Sequence, residues 1–74
     1  MIHMQTTTTV AATVRAEMAR NRITQTKLAE HLHMSQAAVS RRLKGDVAFN
    51  ADELATVSTV VGVPVGAFFG ERAA

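Results

Sequence analysis

From Val10 onward the apolar residues fall at helical spacing. Val10, Val14 and Met18 are four apart with Ala11 beside them, which forms one stripe of a 3.6-residue helix. The preceding MIHMQTTTT is polar and β-branched, favours neither helix nor burial, and predicts a flexible arm over residues 1–8. Thr8 or Thr9 then caps a first helix that ends near Asn21, a residue tolerant of the left-handed exit conformation. Thr24 is the next cap, and Leu28, Ala29 and Leu32 share a face, so residues 25–32 predict a second short helix. His33-Met34 interrupts it. Ser35 caps a third helix over residues 36–44, with Val39 and Leu43 four apart and Gly45 as its stop. Asn50 and Glu53 have capping-box spacing ahead of Leu54, Val57 and Val61, which mark a fourth helix closed by Gly62. Pro64 suits the first turn of a last short helix holding Val65, Phe68 and Phe69 before Gly70.

About five short helices and no alternating pattern predict an all-α fold. The chain's 74 residues fit one core rather than two, so a compact bundle is expected over residues 9–70, with residues 71–74 as a tail. With hydrophobic residues at 47% and charged residues at 19%, the chain sits with globular domains rather than disordered ones. Cysteine is absent, which leaves the core to Leu, Val, Met, Ala and Phe and removes disulfides and thiolate metal sites. No apolar run approaches the roughly 20 residues of a membrane span, and the start lacks a signal core. A cytoplasmic protein is expected.

The formal net charge of +2 hides a segregation. Arg15, Arg20, Arg22, Lys27, Arg41, Arg42 and Lys44 stand against only Glu17 and Glu30, seven against two, a balance of +5 between residues 15 and 44. From Gly45 on, Asp46, Asp52, Glu53 and Glu71 stand against Arg72, four against one, a balance of −3. A cationic middle points to a polyanionic partner or to a solvated face, and charge alone does not choose between them.

Residues 36–44 on a helical wheel separate the two. Val39 and Leu43 share the inner side, whereas Ala37, Ser40, Arg41 and Lys44 share the outer one, with Gln36 exposed on the first turn and Arg42 at the flank. Small side chains followed by cations let a helix approach closely and still reach, which suits a DNA major groove about 12 Å wide. The run Gln25-x-x-Leu28-Ala29, then Met34-Ser35-Gln36-x-x-Val39-Ser40, closing on Leu43 and Gly45, resembles the helix-turn-helix of the Cro and phage-repressor family. More weakly the likeness extends from Val10 to Phe69, with Gly62-Val63-Pro64 leading into the last helix, which implies a lambda-repressor-like bundle.

The resemblance implies roles. Gln36, Ala37, Ser40 and Arg41 match positions that face base edges, and Gln25 matches one that meets a phosphate at a helix N-terminus. Arg42 and Lys44 are implied as further phosphate contacts, with Arg15 on the first helix as another. The family usually has glycine where this chain has His33, and histidine is among the residues that tolerate positive φ.

The implied function is sequence-specific binding of a double-stranded DNA operator in transcriptional regulation, as in a phage or prophage Cro-like repressor, with no cofactor. So short a groove contact favours a homodimer on a pseudo-palindromic site. The alternative is a protein-interaction module, antitoxin-like or regulator-binding, using the apolar tail or even the outer face of the third helix. His31 and His33, two apart, point in different directions and do not make a metal site, and neither Ser35 nor Ser40 has a base or oxyanion loop beside it. No enzyme is expected.

Overall fold

A computed structural model describes residues 6–70. Helix α1 spans Thr6–Asn21, α2 Gln25–Leu32, α3 Gln36–Leu43 and α4 Ala51–Val61, and a 3₁₀ helix follows over Val65–Phe69. No strand occurs among the described residues, so the fold is all-α. The last element is therefore the tighter 3₁₀ form, entered from Pro64 rather than beginning with it. Residues 1–5 of the expected arm and the expected tail 71–74 lie outside the described residues.

Two boundaries differ from expectation. Helix α1 starts at Thr6, so Thr6, Thr7 and Thr8 are helical rather than part of an arm, and neither Thr8 nor Thr9 is the cap. Each threonine costs at most about 0.7 kcal/mol of helix propensity, a cost that tertiary packing can override. Thr6 and Thr7 line a cleft with Val10, Phe49, Leu54 and Phe69, and that packing extends the helix past its expected start. The exit from α1 is the other correction. Arg22, not Asn21, takes the left-handed conformation, at φ 58°. Its amide donates to the Ala19 carbonyl at 3.3 Å, and that of Ile23 to the Met18 carbonyl at 2.8 Å. This paired closure favours an apolar contact just past the helix end, and Ile23 supplies it beside Met18. Asn21 instead donates from its side chain to the Glu17 carbonyl at 2.8 Å.

The remaining starts agree with the sequence. Thr24, Ser35 and Asn50 each accept from the amide three residues on, and Asn50 with Glu53 completes the capping box. One core joins all five elements: Val10, Val14 and Met18 from α1, Leu28 and Ala29 from α2, Val39 and Leu43 from α3, and Leu54, Val57 and Val61 from α4, with Phe49 and Phe68. Phe68 is fully buried and brings the 3₁₀ helix against α1. No helix among the described residues is long and apolar enough to cross a membrane.

His33 adopts φ 55°, ψ 45° at the end of α2, the conformation expected of it. A non-glycine residue there carries about 1 kcal/mol or more of strain. His33→Gly is expected to raise the unfolding free energy by up to about 1 kcal/mol net of glycine's larger unfolded-state entropy. A urea titration checks this as a higher midpoint at unchanged slope.

Candidate nucleic-acid interface

The candidate interface rests on how α2 hands the chain to α3. At the end of α2 the His33 amide donates to the Glu30 carbonyl at 3.3 Å and the Met34 amide to the Ala29 carbonyl at 3.1 Å. The chain thereby reverses within His33, Met34 and Ser35, and Ser35 Oγ accepts from the Ala38 amide at 3.1 Å to open α3. Val39 and Leu43, at 0% and 4% exposure, lock one side of α3 into the core. Gln36, Ala37, Arg41 and Lys44 are exposed on the rest of the helix and its exit, and Ser40 is half-buried. The four expected base-reading residues therefore lie along one short helix. Gln25, the expected phosphate contact on α2, is exposed at that helix's first position.

A side-chain bond links the two helices. Gln36 Nε2 donates to Thr26 Oγ1 at 2.5 Å, which fixes the first outward side chain of α3 to the first turn of α2. The sequence pattern did not single out Thr26. Nothing in a one-dimensional spacing says that two first turns will meet, because that depends on the crossing of the helices.

Two of the expected phosphate contacts, Arg42 and Arg15, also bond within the protein. Arg42 Nε donates to Glu53 Oε1 at 3.0 Å and Nη2 to Glu53 Oε2 at 3.4 Å, while Nη1 donates to the Ala38 carbonyl at 3.0 Å. Arg42 thus joins α3 to α4 with a half-buried ion pair rather than extending to solvent. Arg15 Nη1 donates to the Leu43 carbonyl, so this cation ties α1 to the C-terminal end of α3, where the helix dipole favours positive charge. Packing three helices together brings Glu53 and the Leu43 carbonyl within reach of these long side chains. Lys44 keeps the expected exposed position.

Glu53 is in two structures at once. Its Oε1 accepts from the Asn50 amide at 3.0 Å as part of the capping box and from Arg42 as well. Burial opposes its charged form, but the Arg42 hydrogen bond, the Asn50 amide and the Arg42 charge outweigh that cost and hold its carboxyl below the ordinary 4.5. His31 and His33 face separate surroundings: His31 lines a groove between α2 and α4 with Lys27, Ile23, Thr56, Thr59 and Val60, whereas His33 forms the turn.

Residues 5–74 match the family model described as the BetR domain, a small helical domain of the helix-turn-helix-like regulator class. No curated protein and no solved structure matches the chain significantly.

The depressed Glu53 carboxyl carries a sign that can be tested. Its contribution to stability is fully present above the unfolded value near 4.5 and is lost as pH falls through the lower folded value. Acid unfolding followed by helical circular dichroism is expected to show this loss in the native chain and not in Glu53→Gln, which has no carboxyl to protonate.

Proposed function

The chain belongs to the BetR domain family, and from that premise we propose that it is a sequence-specific regulator of transcription reading the DNA major groove with α3. The family match supports a DNA-binding regulatory domain. The finer likeness to Cro-type phage or prophage repressors rests on the residues of the α2–turn–α3 segment. One observation carries the reading: α3 exposes Gln36, Ala37 and Arg41 while Val39 and Leu43 hold it in place. Gln pairs with adenine edges, Arg with guanine, and an alanine methyl meets thymine. Ser40 borders these three. Gln25 and Lys44 bracket the reading helix as phosphate contacts that set its register. Arg42 and Arg15 act one step back, holding α3 against α4 and α1.

The rival reading, a module that binds another protein, draws on the apolar end of the chain. Phe69 is 47% exposed and rims a small cleft with Val10, Ala48, Phe49 and Leu54. We assign that surface to a second copy of the chain, which pairs two reading helices on a pseudo-palindromic operator. Sedimentation with and without a two-half-site duplex tests this pairing, and a monomer in both conditions removes it. A cytoplasmic, nucleoid-associated protein without a cofactor completes the proposal.

Selecting bound fragments from a random duplex pool tests the whole reading, since the absence of any enriched sequence contradicts it. On the selected duplex Arg41→Ala is expected to lose about 1–3 kcal/mol, and much less on random DNA. Lys44→Ala is expected to weaken both alike and to lower the slope of log affinity against log salt by about 0.9. Fluorescence anisotropy at several salt concentrations measures both.

A further inference from the structure

Arg42 stands between Arg41 and Leu43, at the flank of the reading helix, yet all three of its guanidinium nitrogens are committed inside the protein. The Arg42 and Glu53 side chains keep only 18% and 15% of their surface exposed. The acceptor is as firmly held as the donor. Glu53 Oε1 takes the Asn50 amide, and Asn50 Oδ1 takes the Glu53 amide at 2.7 Å, so the carboxylate cannot swing away without opening the cap of α4. By contrast, the ion pair of Arg20 with Glu17 spans 3.6 Å and leaves the arginine side chain 72% exposed. A cation as free as Arg20, placed at the flank of α3, would meet DNA phosphates whatever the sequence.

We propose that Glu53 is a positioning residue that masks Arg42. It keeps that charge off the phosphate backbone and fixes α3 against α4, so affinity for DNA of arbitrary sequence stays low. This inference rests on the DNA-binding reading above. In that reading the base contacts of Gln36 and Arg41 require a fixed α3, whereas a released Arg42 adds one contact that carries no sequence information.

Salt titrations on a random duplex test it with three full-length proteins: the native chain, Glu53→Gln, and the double variant Arg42→Gln with Glu53→Gln. Glutamine at the third helical position still serves a capping box, and the double variant removes one charge of each sign. The expected result is a slope about 0.9 steeper for Glu53→Gln than for the double variant, and a double variant close to the native chain. Lowering salt from 200 to 50 mM then strengthens Glu53→Gln about 3.5-fold more than the double variant, from the same 0.9 per phosphate. A purely structural role for Glu53 moves thermal stability but gives both variants the same slope, and that result overturns the proposal. A double variant shallower than the native chain by about 0.9 also overturns it, because Arg42 would then already contact phosphate. If Glu53→Gln loses its helical circular dichroism, the native-against-double comparison decides by itself. A native chain that binds no duplex at low salt overturns the DNA reading and this inference together, whereas binding with equal slopes in both variants overturns this inference alone.

Discussion

Val39 and Leu43 lie one helical turn apart and both are inside the core, and the direction of every other side chain on α3 follows from that. A helix of eight residues is marginal in water, since nucleation costs more than so few hydrogen bonds return. Burying one valine and one leucine contributes about 1.5–3 kcal/mol each, so packing, not propensity, holds α3. A helix held by its inner side has no freedom to rotate, and its outer side therefore keeps a constant pattern of Gln36, Ala37 and Arg41. Recognition of base edges requires that constancy, because hydrogen bonds lose strength quickly with misalignment.

The connections around α3 follow the same logic. Three left-handed residues, Arg22, His33 and Gly45, end the first three helices, and each lets the next amides close back on the helix it leaves. Two of the three are not glycine, so part of the folding free energy goes into backbone strain. The return is short connections, with α2 and α3 separated by only His33, Met34 and Ser35. Short connections bring the first turns of α2 and α3 side by side, where Thr26 holds Gln36.

The cations divide into two groups. Arg15 and Arg42 bond within the fold, one through a single nitrogen to the Leu43 carbonyl and one through all three to Glu53 and the Ala38 carbonyl. Arg20, Arg22, Lys27, Arg41 and Lys44 are exposed, and so is Arg15 despite its bond to the carbonyl. An arginine that is half-buried and bidentate is held more strongly than an exposed pair, which is worth at most about 1 kcal/mol. Of the seven cations between residues 15 and 44, Arg42 alone is half-buried, and the exposed ones are spread over α1 and its exit, α2, and α3 and its exit.

Much of this was legible in the amino-acid order. The three caps, the bounds of α2, the inner and outer sides of α3 and the left-handed His33 all follow from interactions within about four residues, which spacing and residue type encode directly. The early start of α1 was not legible, because threonine propensity argues against it and the residues that Thr6 and Thr7 pack beside, Phe49, Leu54 and Phe69, are remote in the chain. The fates of Arg15, Arg42 and Thr26 were not legible either. Their partners lie 28, 11 and 10 residues away, and long side chains reach whatever the crossing of helices brings near. Local order determined which elements form and which way they face, and tertiary packing decided which charges remain free, because distance in space between remote residues is not a property of the chain until it has folded.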